Sequence, residues 1–131
     1  MREKKFTEWI CLKEKLHKWE HFVPNIQEAD LWWVSFGENI GYEIDGKSRL
    51  FTRPAIVLKR LAKGFYYVVP TSTQKRTGSW YVDFKQNDIE MVACLQQARP
   101  IDYRRFSSQI GALAENDFVK VKDGFKKLYF P

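Results

Sequence analysis

The first apolar pattern of the chain has helical spacing. Apolar side chains recur every three or four positions from Phe6 to Val23, and charged side chains fill the positions between them. Proline disfavours helical geometry at the residue before it, so Pro24 is expected to end the helix. The sequence therefore predicts an amphipathic helix over residues 6–23 that packs against the rest of the domain or against a partner.

After this helix the spacing becomes that of short strands. Apolar, aromatic and β-branched runs occupy residues 31–36, 54–60, 65–70, 79–84 and 90–96. Between the first two runs, three glycines mark a long, mobile loop that reaches about Phe51. Loops of this length inside compact domains are usually functional. Five short strands separated by turn signals predict a small barrel.

A second helical pattern lies at the end of the chain. Its apolar face consists of Phe118, Val121, Phe125 and Leu128. Glu115 and Asp117 fall in the first turn and two lysines in the last, which complements the helix dipole. We expect this helix to cap the barrel.

Length and composition favour one folded domain with a short appendage. The chain has 131 residues, of which 16% are aromatic, so disorder is not expected. We divide it into an N-terminal helical extension, residues 1–27, and a barrel domain, residues 28–131. The two cysteines, Cys11 and Cys94, lie far apart and form no disulfide or metal-ligand pattern, which fits a reducing cytoplasm. No apolar run approaches the roughly 18 residues of a membrane span, so we expect no membrane association.

The charge of the chain is strongly segregated. Residues 47–76 carry eight Lys or Arg side chains and no acid, whereas residues 24–46 carry five acids and no Lys or Arg. The net charge is +6, which favours an acidic partner such as nucleic acid. Charge runs are also commonly solvated surface. The specific alternative is that Arg53, which opens one strand, and the hydroxyl cluster at residues 71–73, which closes the next, meet at one phosphate.

Motifs at the strand openings appear in a recognisable order. They are Trp33-Val34-Ser35-Phe36, Gly41-Tyr42-Glu43, Arg53-Pro54-Ala55-Ile56-Val57-Leu58, Val69-Pro70-Thr71-Ser72-Thr73-Gln74, Gln97-Ala98-Arg99-Pro100-Ile101-Asp102 and Ile110-Gly111, followed by the terminal helix. In this order and spacing they resemble the MazF/PemK family of toxins from bacterial toxin–antitoxin systems. The resemblance covers residues 31–129, and the first thirty residues lie outside it.

The resemblance implies a mainly β (α+β) fold, a small SH3-like barrel of the MazF/PemK/CcdB type with an N-terminal and a C-terminal helix. It implies the toxin of a type II toxin–antitoxin system, a sequence-selective endoribonuclease that cleaves single-stranded mRNA without a metal or cofactor. Products with a 2′,3′-cyclic phosphate are expected. The implied partners are a second copy of the chain and a cognate acidic antitoxin. The alternative is a non-catalytic RNA-binding module, or a gyrase-poisoning toxin of the same barrel class.

Three catalytic residues follow from the resemblance. The arginine of the family's Arg-Pro pair falls at Arg53, its catalytic hydroxyl at Ser72, and the glutamate of its Gly-His-Glu loop at Glu43. The family's loop histidine is Tyr42 in this chain, and its turn aspartate is Gln96, so two groups that can carry protons are replaced. An arginine-centred mechanism agrees best with these residues, because a planar guanidinium donates two parallel hydrogen bonds to phosphate oxygens. Glu43 has the alternative role of a loop-ordering ion pair with a nearby arginine.

The predicted RNA contacts are basic and polar side chains near these positions: Lys47, Arg49, Thr71, Thr73, Gln74, Lys75, Arg76, Gln97 and Arg99. Candidates to stack on unpaired bases are Tyr42, Phe51, Trp80 and Tyr103. His17 and His21 have the spacing of a helical metal pair, but no third ligand is evident, so we expect no metal site. Cys94 lies within an apolar run and is expected in the core.

Overall fold

A computed structural model describes residues 2–131 as an antiparallel sheet with a helix near each end of the chain. The helices are α1 (Phe6–Lys18) and α2 (Glu115–Tyr129). The strands are β1 (Asp30–Ser35), β2 (Thr52–Ala62), β3 (Phe65–Ser72), β4 (Tyr81–Gln86), β5 (Ile89–Cys94), β6 (Arg99–Asp102) and β7 (Phe106–Ala112). Short 3₁₀ turns at Leu95–Gln97 and Tyr103–Arg105 precede and follow β6. No helix within residues 2–131 is long and apolar enough to cross a membrane.

The sheet divides at β3. Its strand order is β4-β5-β3-β2-β1-β7, and β6 also pairs with β3. Residues 65–68 of β3 pair with β6, whereas Thr71 and Ser72 pair with β5, so one edge of β3 serves two partners. The outer strands β4 and β7 do not pair with each other, and the sheet therefore does not close. The mainly β class with two helices confirms the sequence prediction.

Each face of the sheet buries its own apolar cluster. Along β2 the side chains alternate, so that Ala55 and Val57 enter one cluster and Ile56 enters the other. The first cluster contains Trp32 and Val34 of β1, and the second is covered by α2. Each large side chain removed from water in this way contributes about 1.5–3 kcal/mol to folding.

Helix α2 caps the second cluster, as the sequence predicts. Val121 is fully buried, and Phe118, Phe125 and Leu128 pack around the same cluster. Gly124 permits close approach to the sheet, because a Cβ at this position would lie 2.6 Å from a methyl group of Val82.

Helix α1 is shorter than its apolar pattern predicts, and the prediction that it runs to Pro24 is wrong. It ends at Lys18, and Trp19 adopts an extended backbone. Contacts with Tyr103, between β6 and β7, replace helical hydrogen bonds here: the His21 ring packs on the Tyr103 ring with centroids 5.1 Å apart, and the His21 carbonyl accepts a hydrogen bond from the Tyr103 hydroxyl at 3.2 Å. Of the α1 side chains, Trp9 alone is buried.

Two strands, β6 and β7, have no counterpart among the five predicted. The burial of β7 does not alternate: Phe106 is buried, but the following three side chains are exposed. The length of β7 is set by its pairing with β1, and this pairing includes two register shifts. Strand β6 has four residues and begins with Arg99-Pro100, which carries no strand pattern.

Candidate functional site

A cleft of about 730 Å³ opens where β2 begins and β3 ends. Antiparallel pairing of these strands brings the first residues of β2 next to the last residues of β3. The loop before β2 forms one wall, and the segment between β3 and β4 forms the other. The cleft is lined by Gly41, Tyr42, Ile44, Lys47, Arg53, Ser72, Gln74, Arg76, Trp80, Tyr81, Cys94, Gln96 and Gln97.

Arg53 is the half-buried cation of this cleft. It is the second residue of β2 and pairs with Val34 of β1, so a central part of the sheet fixes its backbone. Its Nε donates a hydrogen bond to the Asp45 carbonyl, and within residues 2–131 its two terminal nitrogens make no hydrogen bond. Burial lowers the pKa of the guanidinium from its ordinary value, while Cys94 and Asp45 oppose the shift. The fork of Arg53 therefore remains available to an anion.

Ser72 lies at the end of β3, in the same cleft. It pairs with Val92 of β5, and its hydroxyl oxygen accepts a hydrogen bond from the Gln74 backbone N–H at 3.1 Å. The hydroxyl hydrogen makes no hydrogen bond within residues 2–131. The hydroxyl hydrogen of Ser72 is therefore available for donation to a ligand in the cleft that Arg53 also lines.

Two further cations and two aromatic rings border the cleft. Lys47 and Arg76 are exposed, and Arg76 is held by a hydrogen bond of 2.8 Å to the Gln74 side chain. Tyr42 is fully exposed and Trp80 is 52% exposed. Exposed aromatic rings next to cationic side chains suit single-stranded RNA. The rings can stack on unpaired bases, and the cations can bind the phosphates of the RNA backbone.

Cys94 forms part of the cleft floor. Its side chain is buried, as expected for a core cysteine. Burial raises the pKa of the thiol, and the neighbouring Arg53 and Arg76 lower it to a smaller extent. The thiol is therefore neutral at physiological pH and adds no nucleophile to the site.

Gln97 fixes the loop wall of the cleft. Its side-chain oxygen accepts from the Ile44 N–H at 3.0 Å, and its side-chain nitrogen donates to the Tyr42 carbonyl at 2.8 Å. Both ends of the amide are occupied by the loop. Gln97 therefore positions Tyr42, rather than offering its own amide to a ligand in this arrangement.

Glu43 lies outside the cleft. It is exposed, and its carboxylate accepts a hydrogen bond of 3.0 Å from the Ile40 N–H, which closes a local turn. It forms no ion pair with Arg49 or Arg53 within residues 2–131. Of the described residues that line the cleft, none is Asp, Glu or His.

Five of the predicted RNA contacts also lie away from the cleft. Thr71 is fully buried and donates to the Pro54 carbonyl, because it faces the opposite side of β3 from Ser72. The other four lie elsewhere on the molecule. Thr73 and Lys75 line a pocket beside β4 and β5, Arg49 lies near the N-terminal residues that precede α1, and Arg99 is the first residue of β6.

Two of the predicted stacking residues pack against the extension. Phe51 is buried against Trp9, with ring centroids 5.7 Å apart, and Tyr103 packs on His21. Neither ring is available to a base in this arrangement. Within residues 2–131 no three His, Cys, Asp or Glu side chains lie close enough together to hold a metal ion.

Sequence reasoning missed the polar floor formed by Tyr81 and Gln96. The Gln96 side-chain nitrogen donates to the Tyr81 hydroxyl at 3.2 Å, and its buried oxygen has no partner in the described chain. The only sequence signal for this pair was Gln96 itself, which stands where the family has an aspartate. That Tyr81 meets it follows from the pairing of Tyr81 with Cys94 across β4 and β5.

Comparison with solved structures agrees with this fold. The chain is similar to MazF from Deinococcus radiodurans, with 22% identity, a TM-score of 0.67, and coverage of 82% of this chain and 97% of that chain. It is similar to a MazE–MazF complex from the same organism, with 19% identity, a TM-score of 0.61, and coverage of 84% and 98%. A third similar structure is an endoribonuclease in complex with its cognate antitoxin from a mycobacterial species, with 12% identity, a TM-score of 0.61, and coverage of 81% and 97%.

These identities support the fold alone, and no curated protein matches the sequence significantly. The family follows from a separate comparison with family models. The model of the PemK-like, MazF-like toxins of type II toxin–antitoxin systems matches residues 27–129, which contain all seven strands, α2 and every residue that lines the cleft. The chain therefore belongs to the PemK-like, MazF-like toxins of type II toxin–antitoxin systems.

Proposed function

We propose that this chain is a metal-independent endoribonuclease that cleaves single-stranded mRNA at selected sequences. The observation that carries the proposal is the half-buried Arg53 guanidinium, whose terminal nitrogens make no hydrogen bond within residues 2–131, in a cleft that Ser72 also lines. The cations Lys47 and Arg76 suit the phosphates on either side, and the exposed rings of Tyr42 and Trp80 suit unpaired bases.

Arg53 stabilises the charge that develops on the scissile phosphate. In the proposed reaction the 2′ oxygen of the substrate forms a bond to phosphorus and the bond from phosphorus to the 5′ oxygen breaks, which leaves a 2′,3′-cyclic phosphate and a 5′-hydroxyl. Preorganised donors aimed at developing charge are usually the largest catalytic contribution. Arg53 supplies two such donors, and the hydroxyl of Ser72 supplies a third.

The charge of the cleft supports metal independence. Three cationic side chains, Lys47, Arg53 and Arg76, face the space where the phosphate would bind. Like charges repel a divalent cation, and the guanidinium itself performs the neutralisation that a metal performs in metal-dependent nucleases.

The proposal includes two protein partners and a cellular location. Two of the similar structures are complexes, one of a MazF with MazE and one of an endoribonuclease with its cognate antitoxin. We propose that an acidic antitoxin neutralises this chain, that the active form is a homodimer, and that it acts in the cytoplasm. Residues 1–27 are proposed to be an extension of the barrel domain formed by residues 28–131, because the family match begins at residue 27.

A second candidate function is RNA binding without cleavage. It is favoured by one observation: Glu43, the predicted carboxylate, does not line the cleft and instead accepts a hydrogen bond from the Ile40 backbone N–H. Primer extension on a long RNA incubated with the purified protein separates the two functions. Discrete stops at a recurring short sequence support the nuclease, whereas retention of RNA on the protein without any stop supports the binding module.

A further inference from the structure

The N-terminal segment before α1 lies outside the family match. It forms hydrogen bonds with Glu38, a buried acid in the loop that forms one wall of the cleft. The side chain of Glu38 has no exposure to solvent, and Arg2 forms two hydrogen bonds with it, at 2.8 and 3.2 Å. The Lys5 backbone N–H donates to the same carboxylate. A buried carboxylate requires such partners, because an unpaired charge in the interior is strongly destabilising. Arg2 and Lys5 therefore fix the start of the loop.

The same segment also contacts Asp45, which lies later in the same loop. The Asp45 carboxylate lies 3.1 Å from the Lys4 ammonium group and 3.2 Å from the Arg2 guanidinium, and it accepts from the Asn39 N–H at 2.6 Å. Its backbone carbonyl accepts the Nε hydrogen bond of Arg53. One residue thus connects the N-terminal segment directly to the catalytic guanidinium.

Helix α1 provides a second attachment at the base of this loop. Trp9 is 5% exposed and packs on Phe51, which precedes β2. Its ring also covers Gly37, where a Cβ would lie 2.1 Å from an atom of the ring. Arg105 lies over the Trp9 ring, with its guanidinium carbon 5.6 Å from the ring centroid. The extension therefore contacts the loop at both ends.

We propose that residues 2–18 form a positioning strap, which orders the loop of residues 37–51 so that Asp45 holds Arg53 in its productive orientation. This inference rests on the proposed nuclease function and adds positioning residues to it. Arg2 and Lys4 touch no substrate, and they act through Asp45. A displacement of about 1 Å at a catalytic group can reduce a rate about a hundredfold.

The expected effect is mainly on kcat. Loosening the strap disorients the guanidinium that stabilises the transition state, but it leaves Arg76 and Trp80, which line the cleft from outside this loop, in place to bind RNA. For Arg2→Ala with Lys4→Ala we expect kcat to fall about tenfold or more, while KM changes less than about threefold. Arg2→Lys with Lys4→Arg, which preserves both charges, is expected to recover most of kcat.

The direct test is limited proteolysis with trypsin of the full chain, combined with RNA-cleavage kinetics. Lys47 and Arg49 are exposed trypsin sites within the loop, so the rate of the first cut after either residue reports loop order without reference to RNA. The matched control is Lys13→Ala with Lys15→Ala, which removes two positive charges from exposed positions of α1 that make no hydrogen bond with the loop.

We expect the Arg2→Ala, Lys4→Ala variant to be cut in the loop at least about fivefold faster than the parent and the control, with the lower kcat described above. Loop cleavage at the parental rate would overturn the strap. Faster loop cleavage with unchanged kcat would overturn its positioning role. A parent that cuts no RNA would refute the nuclease proposal, and the proteolysis would then decide the strap by itself.

Discussion

The Nε hydrogen of Arg53 is donated to the backbone carbonyl of Asp45. This bond joins the first residues of a central strand to the loop that precedes it, and it uses the one guanidinium nitrogen that is not part of the terminal fork. The terminal nitrogens then face the cleft that Ser72 also lines. A loop without a carboxylate in the cleft thus contributes to the site by orienting Arg53.

Ser72 contributes one neutral donor, so its loss should be milder than that of Arg53. We expect Ser72→Ala to reduce kcat about tenfold, which corresponds to about 1.5 kcal/mol for a hydrogen bond to a charged group. Ser72→Thr keeps the hydroxyl and should remain within about twofold of the parent. Single-turnover cleavage of a short RNA measures both. A Ser72→Ala rate equal to that of the parent would remove the hydroxyl from the mechanism.

Lys47 and Arg49 are close in sequence, but only Lys47 lines the cleft, which gives a matched pair. Both residues line the pocket beside the N-terminal segment. We expect Lys47→Ala to weaken the binding of all RNAs and to reduce the salt dependence of log Kd by roughly 0.7. Arg49→Ala should change neither quantity. Fluorescence anisotropy over a range of salt concentrations tests this, and equal effects of the two substitutions would contradict the proposed RNA path.

Trp80 is predicted to stack on a base of the bound RNA. Substitution Trp80→Ala should weaken RNA binding by about 1–3 kcal/mol, the usual contribution of one stacked base. Phe130 is an exposed aromatic outside the cleft, so Phe130→Ala is the control and should bind as the parent does. Tighter or unchanged binding by Trp80→Ala would place the RNA bases elsewhere.

Glu38 should make stability depend on pH in the acid range. Hydrogen bonds from Arg2 lower its pKa below the ordinary value of 4.5, against the opposing effect of burial. A carboxylate with a lowered folded-state pKa contributes stability above its unfolded pKa, and this contribution is lost as pH falls through the folded pKa. The difference in melting temperature between the parent and Glu38→Gln should thus be largest above about pH 5 and shrink toward about pH 3. A difference that is constant across this range would refute the ion pair.

The sequence predicts the strands that are buried on at least one face and the terminal helix. Residues 65–70 and the face of α2 with Val121 are apolar at the spacing of their elements, so local pattern and tertiary burial agree. The apolar pattern does not predict segments whose conformation is fixed by contact with another part of the chain. Strand β7 has mostly polar exposed side chains, and the chain after Lys18 leaves the helix because His21 packs on Tyr103.

Arg53 and the hydroxyl cluster at residues 71–73 could be predicted together because they lie at the ends of two successive strands, and the resemblance to the family selected Ser72 within that cluster. The direction in which each side chain points was harder to predict from the sequence. Thr71 differs from Ser72 by one position in the strand and therefore faces the core. Glu43 turns toward Ile40 because the loop closes on itself, and the attachment of Arg2 to Glu38 joins residues that no local pattern connects.

We propose that Arg53 stabilises the transition state of RNA cleavage without a metal. The most direct measurement is the cleavage rate of the parent and Arg53→Ala on the same RNA in excess EDTA, with melting temperatures to establish folding. Arg60→Ala, at an exposed position of the same strand, is the control. We predict that the parent and the control cleave equally in EDTA and leave 2′,3′-cyclic phosphate ends, and that a folded Arg53→Ala loses about 3 kcal/mol or more, at least roughly a hundredfold in rate. Cleavage by Arg53→Ala at the parental rate, or parental activity that requires added magnesium, would contradict the account.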